Sequence, residues 1–275
     1  MTVYDMIPVL YPNFCLKFRI DGFKNRMAGL DYDTWIHCIS HSAKNDLCNY
    51  AKGLDCKKIF VAHLAADPAL FYPCHDENKI QSVRNKYGIP AGAPYLLSLN
   101  TIQPLKNITH SLKCFAKLIA QEGIDDLYFV LAGTKGWSYE DIYRQISGNS
   151  LIKNRLIVTD YAADEDLAAL YSSAMAFIFP SLYEGFGLPP LEAMQCGIPV
   201  ITSNIPSLIE VVGNAGITVS PSDYDALCQG ILDIYRKPSL RGILSEKSIN
   251  RAKKFGWDKT AEEIISAYEK ARGYS

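Results

Sequence analysis

Two glutamates eight positions apart, Glu184 and Glu192, bracket the segment of this chain with the most chemical content. It reads Pro180-Ser181-Leu182-Tyr183-Glu184-Gly185-Phe186-Gly187-Leu188-Pro189-Pro190-Leu191-Glu192. Gly185 and Gly187 permit positive φ and a close backbone approach to a ligand. Pro189 and Pro190 suit the first turn of a helix, where a missing N–H costs nothing. The N–H groups of Gly187 and Leu188 then project from a helix N-terminus, a ready anion site. Glu184 in the loop and Glu192 about one turn into the helix flank that mouth. A ligand with a phosphate and hydroxyls on both sides fits such a mouth. A plain glycine turn with an acid serving the helix dipole would explain Glu192 alone, but not the whole string.

Such a mouth needs a strand before it and a helix after it. Short apolar runs recur at Val3 to Tyr4, His37 to Ile39, Ile59 to Ala62, Tyr95 to Leu99, Leu127 to Ala132, Leu156 to Val158, Ala176 to Phe179 and Ile198 to Thr202. Apolar on both faces and rich in Val, Ile and Phe, they read as parallel strands covered on both sides. Amphipathic stretches lie between them, such as Ile108 to Gln121 with Ile108, Leu112, Phe115, Leu118 and Ile119 on one face. The alternation predicts a doubly wound α/β sheet, with ligand turns beyond Leu99, Ala132, Val158 and Phe179. From Asp223 to Tyr274 the pattern is helical, broken near Pro238 and Gly256. Residues 1–75 hold only three strands, residues 76–256 a complete Rossmann-like unit, and residues 257–275 a helix expected to return to the first block.

Composition narrows the function. The 275 residues carry 28 Lys+Arg and 29 Asp+Glu, for a net charge of −1, which argues against a nucleic-acid binder. There is no run of about 18 apolar residues to span a membrane. The start has no basic n-region and includes Asp5, so it does not read as a secretory signal. Eight cysteines occur without a C-x-x-C pair and read as buried reduced thiols in a cytosolic protein. Asp31-Tyr32-Asp33 and Asp223-Tyr224-Asp225 fit a D-x-D metal pattern, but neither follows a strand, and we expect no metal. His37 and His41 have no third ligand near them in sequence and read as structural. Trp137 and Trp257 read as packing residues. No G-x-G-x-x-G follows the first strand, which argues against a dinucleotide oxidoreductase.

The Glu184 to Glu192 string resembles the signature of retaining glycosyltransferases of family 4, which have the two-domain GT-B fold. Phe179-Pro180-Ser181 before it and Ala193-Met194 and Cys196-Gly197-Ile198-Pro199-Val200-Ile201 after it resemble that family too. So do Tyr95 to Asn107, Leu131-Ala132-Gly133, Asp164 to Ala174 and Pro206 to Gly213. The resemblance is dense over about 94–260 and loose over 1–75. It implies a GT-B type Rossmann-like donor domain, a parallel sheet with helices on both faces, joined to an incomplete N-terminal Rossmann-like half-domain.

Roles follow from the resemblance position by position. Glu184 would bond hydroxyls of the donor sugar and Glu192 the ribose. Backbone amides of Gly185, Phe186, Gly187 and Leu188 would hold the diphosphate, and Lys106 would neutralise it as it leaves. Asp160, Tyr161 and Ala162 would read the base, and Thr101 stands in the first phosphate loop. Asp5 would edge the cleft from the acceptor side. Preorganised N–H dipoles and a cation can stabilise a departing diphosphate without a metal. No cofactor is implied beyond a UDP- or GDP-sugar donor. The implied acceptor is a saccharide or lipid-linked, in surface or exopolysaccharide synthesis, as in mannosyltransferase-like members. A cytoplasmic site fits, at the inner face of the membrane if a peripheral contact forms. Departures are Tyr4 where a His often lies, and Leu105 where an Arg is frequent. The short first block raises a second reading. The chain would then be a half-enzyme or non-catalytic nucleotide-sugar-binding subunit. It would form a homo-oligomer or pair with a partner subunit supplying the missing N-terminal half.

Overall fold

A computed structural model describes residues 1–273, so Tyr274 lies outside the described residues. Short apolar runs become parallel strands in two sheets. The smaller holds β1 (Thr2–Val3), β2 (Ile36–Cys38) and β3 (Ile59–Val61) in that order, with α1 (Ile7–Leu10), α2 (Lys17–Ala28) and α3 (His41–Tyr50) between them. After α4 (Glu77–Lys86), the larger sheet is built from β4 (Tyr95–Leu99), β5 (Tyr128–Ala132), β6 (Leu156–Asp160), β7 (Ala176–Phe179), β8 (Val200–Ser203) and β9 (Ile217–Val219). Its spatial order is β6-β5-β4-β7-β8-β9 and every pairing is parallel. Strand order reverses between β4 and β7, so a crevice opens beyond Leu99 and Phe179, where open α/β sheets bind ligands.

The helices of this sheet are α5 (Ile108–Glu122), α6 (Tyr139–Ser147), α7 (Asp164–Ser172), α8 (Leu188–Gln195), α9 (Pro206–Val212) and α10 (Tyr224–Arg236). They cover both faces, and each face has its own apolar core. Tyr95, Leu97, Val130, Phe177 and Phe179 point to one; Leu96, Phe129, Leu131, Ile178 and Ile201 point to the other. The period of two puts alternate residues of one strand into different cores. In α5, Ile108, Leu112, Phe115 and Leu118 are buried as their spacing requires, and Gly123 ends the helix at φ 64°. The chain closes with α11 (Pro238–Ala252) and α12 (Trp257–Ala271). Ile264, Ala267, Tyr268 and Ala271 of α12 face Met1, Thr2, Trp35, His37 and Phe60 of the small sheet.

Several expectations need correction. β9 was not anticipated, and β8 starts at Val200 because Ile198 and Pro199 still belong to the turn after Gly197, which has φ 79°. The cysteines are not all separate thiols. Cys48 bonds Cys56 and Cys114 bonds Cys228, leaving Cys15, Cys38, Cys74 and Cys196 free. Trp137 and Trp257 are exposed rather than packed. Residues 64–75 were assigned to the small block, yet Ala66, Phe71 and Cys74 bury their side chains in the core of the larger sheet.

Candidate functional site

The signature segment lies at the crevice. β7 ends at Phe179 and the loop from Pro180 leads to Gly187, whose φ of 123° launches α8. A Cβ on Gly187 would come within 2.6 Å of Leu208. Gly185 is required for a different reason. A Cβ there would lie 1.9 Å from the carbonyl oxygen of Tyr4, so only glycine lets the loop pass under the β1–α1 turn. Ser40 Oγ donates to the Gly185 carbonyl at 2.5 Å, and Tyr183 OH donates to Asp46 at 2.7 Å. The loop is thus held against the small sheet by these two bonds and by Met6 N–H donating to Tyr183 OH at 3.3 Å. Pro189 and Pro190 carry no N–H, so the unpaired backbone donors at the start of α8 are those of Gly187 and Leu188.

Two of the three residues expected to catalyse meet directly. Lys106, in the turn after β4, donates to Glu184 Oε1 at 2.6 Å, with side chains only 15% and 12% exposed. Its ammonium also sits over the Phe179 ring, 5.4 Å from the centroid. Asp5, the third, faces them from the small sheet. Burial holds its carboxyl above the usual range, and the charge of Glu184 adds to this. The Ile7 N–H bond at 2.9 Å and the charge of Lys106 oppose it. Two carboxylates and one ammonium therefore share one electrostatic environment between the sheets.

Glu192 lies deeper. Tyr171 OH donates to its Oε2 at 2.9 Å. Burial pushes the Glu192 carboxyl up to about 7 despite that bond, with the charge of Asp164 adding to the rise. It lines a cavity of about 280 Å³ together with Leu99, Gly133, Tyr161, Ala162, Asp164, Leu167, Leu70 and Phe71. Gly133 has φ 132°, and a Cβ there would lie 1.9 Å from the Asn100 carbonyl oxygen, so the two loops at the cavity floor also need a glycine.

The other expected residues divide. Tyr161 and Ala162 line the cavity; Asp160 is exposed at φ 53° and does not. Thr101 is exposed, its methyl turned toward Gly136, and is not among the cavity residues. The D-x-D aspartates have local tasks. Asp31 accepts from Asp33 N–H and Thr34 Oγ1, Asp33 pairs with Lys58, Asp223 caps α10 through Ala226 N–H, and Asp225 pairs with Lys117.

Sequence reasoning missed Leu70, Phe71, Asp164 and Leu167 as cavity walls. Leu167 carries a signal in the α7 periodicity. Leu70 and Phe71 carry none, because they sit in an irregular segment after β3. It also missed His63, whose Nε2 lies 2.6 Å from Glu210 Oε1.

The sequence profile of the glycosyl transferases group 1 family matches residues 79–255. The O-antigen chain mannosyltransferase B of Escherichia coli is 38% identical over 187 residues, covering 68% of this chain and 48% of that protein. The serotype-specific mannosyltransferase WbdA of Escherichia coli is 30% identical over 270 residues, covering 96% of this chain and 32% of that protein. The chain thus spans between a third and a half of the length of these relatives. Among solved structures, sucrose-phosphate synthase of Thermosynechococcus elongatus superposes with a TM-score of 0.80 at 22% identity, covering 100% of this chain and 68% of that one. Anabaena HepE in complex with UDP and glucose superposes with a TM-score of 0.81 at 17% identity, covering 98% and 71%. The α/β architecture is that of GT-B glycosyltransferases.

Proposed function

The chain belongs to the glycosyl transferases group 1, and from that membership we propose that it carries the donor site of a mannosyltransferase. The reaction moves a hexose from a nucleoside-diphosphate sugar to a saccharide or lipid-linked acceptor in surface polysaccharide synthesis. The observation that carries this reading is the largely buried Lys106–Glu184 pair at the strand-order reversal, beside the N-terminus of α8. The names of the relatives, an O-antigen chain mannosyltransferase and a serotype-specific mannosyltransferase, support the sugar and the pathway class.

In this reading the base enters the 280 Å³ cavity and Glu192 accepts from the ribose hydroxyls. The diphosphate rests on the amides at the α8 N-terminus. Lys106 exchanges its carboxylate partner for a phosphate oxygen, which frees Glu184 for the hydroxyls of the sugar. The C1–phosphate bond then breaks as the acceptor oxygen bonds C1 from the same face, and the departing phosphate oxygen takes the acceptor's proton. Configuration is retained. Lys106 and the N–H dipoles neutralise the growing charge, so turnover needs no divalent ion. Asp164, a carboxylate in the cavity wall, suits the adjacent N1–H and N2–H donors of guanine, and the donor is a GDP-sugar.

The test is a transfer assay with GDP-mannose and a mannan primer, with the product anomer read by NMR and the run repeated in EDTA. An inverted product, or activity that vanishes in EDTA and returns with Mn²⁺, overturns the mechanism. A second reading, a donor-binding subunit that needs a partner for the acceptor half, is favoured by the place of β1, which among the described residues pairs with β2 alone. Tight donor binding by a chain that transfers nothing until a second polypeptide is added supports it.

A further inference from the structure

The seam between the two sheets holds a second side-chain constellation, sharing no residue with the donor site. His41 is the first residue of α3, His63 follows β3, and Glu210 lies in α9. One donor atom from each of the three lies within 4.8 Å of the others. His63 Nε2 stands 2.6 Å from Glu210 Oε1. The same carboxylate accepts the backbone N–H of His41 at 2.8 Å on Oε1 and of Ser42 at 3.2 Å on Oε2. Each carboxylate oxygen has two lone pairs, so these amides fix the plane of Glu210 and leave one lone pair on each oxygen, that of Oε1 facing His63. His63 is held in turn, because Thr260 Oγ1 donates to its backbone oxygen and the rings of Phe186 and Phe255 lie 5.8 and 5.7 Å away. The His41 imidazole is exposed and edge-on to that of His63, 5.7 Å between centroids. Among the described residues it makes no hydrogen bond of its own.

We propose that His41, His63 and Glu210 form a binding site for a divalent transition metal, Zn²⁺ in the first place. Two imidazoles and one carboxylate are a donor set that zinc accepts, with water in the fourth position. Bonds of about 2.0–2.1 Å place tetrahedral ligand atoms roughly 3.3 Å apart. The His63–Glu210 pair, now at 2.6 Å, therefore opens by roughly 0.7 Å, and the exposed His41 ring swings inward. His63 ligates through Nε2 with its proton on Nδ1. The backbone amides of His41 and Ser42 keep the carboxylate oriented, as hydrogen-bonded outer partners do in metal sites. An ion held here clips α3 of the small sheet to α9 of the large one, so its binding energy belongs to the closed arrangement of the two.

The full chain, freed of metal by chelation, is titrated with Co²⁺ by visible absorption and with Zn²⁺ by calorimetry, and melted with and without Zn²⁺. The expected result is one equivalent bound, with tetrahedral Co²⁺ bands, no thiolate charge-transfer band, and a higher melting temperature in Zn²⁺. Glu210→Gln and His63→Ala remove ligands but also loosen the seam. His41→Ala is therefore the decisive variant, since its exposed ring carries no hydrogen bond. It should melt like the unaltered metal-free protein yet bind Zn²⁺ at least ~10-fold more weakly. Equal affinity in His41→Ala and the unaltered chain, thiolate-type Co²⁺ spectra, or no stoichiometric binding overturns the proposal. The pair would then be a plain His63–Glu210 hydrogen bond.

Discussion

Glu192→Gln separates the charge of this carboxyl from its shape. With the carboxyl at about 7, roughly nine tenths is ionised at pH 8 and about one tenth at pH 6. If ribose hydroxyls donate to the ionised form, affinity for the donor should fall about tenfold from pH 8 to pH 6. An intact nucleotide sugar is the right probe, because its diphosphate does not titrate in that range. At pH 8 the Gln variant loses a charge-assisted bond worth about 1.5–3 kcal/mol, a weakening of ~10- to 150-fold. At pH 6 the deficit should shrink, since the unaltered protein is itself mostly protonated there. Stability moves the opposite way. Between 4.5 and about 7 the folded protein keeps a proton that the unfolded chain has lost, so stability falls as pH rises through that window. The displacement corresponds to about 3 kcal/mol. Glu192→Gln should therefore melt several degrees higher at pH 8 and unchanged at pH 4. Calorimetric titration of donor affinity from pH 6 to 8, with melting curves on both proteins, reads both effects. A flat affinity profile in the unaltered protein, or the same slope in the Gln variant, refutes the ribose assignment.

Lys106→Ala should lower turnover by ~100-fold or more while weakening donor binding less, because charge grows on the phosphate during departure; equal losses in kcat and in affinity would point to ground-state binding alone. Gly185→Ala places a Cβ against the Tyr4 carbonyl oxygen, so about 1–3 kcal/mol of stability should go, seen as a lower melting temperature. An unchanged melt would mean the turn yields freely. Asp164→Asn should narrow the preference for GDP over UDP in competition binding, and an unaltered ratio would remove Asp164 from base reading.

The parts of the site visible in sequence were those that depend on local backbone rules. Gly187 followed by Pro189 and Pro190 dictates a helix start soon after the strand before it ends, so the β7–loop–α8 turn could be placed from that short run. The large sheet was legible because its buried strands carry apolar residues on both faces. What failed depended on contacts between distant segments. Leu70 and Phe71 reach the cavity from an irregular stretch with no period. His63 and Glu210 are 147 positions apart, as Cys114 and Cys228 are 114 apart, and nothing in either local sequence announces a partner. β9 has three residues between glycine and serine turns and is set by β8 beside it rather than by its own pattern.

Several contacts across the seam end on main-chain atoms: the Tyr4 carbonyl oxygen over Gly185, the Gly185 carbonyl oxygen under Ser40, and the His41 and Ser42 amides on Glu210. Main-chain atoms are common to every sequence that keeps the same path. A small sheet borrowed from a distant relative should therefore dock onto this larger one if Ser40, Asp46 and His63 are retained on one side and Tyr183, Gly185 and Glu210 on the other. Most of the other side chains in the borrowed unit would be free to change. The junction is in that sense a standard fitting, through which different small sheets can be recombined with one larger sheet.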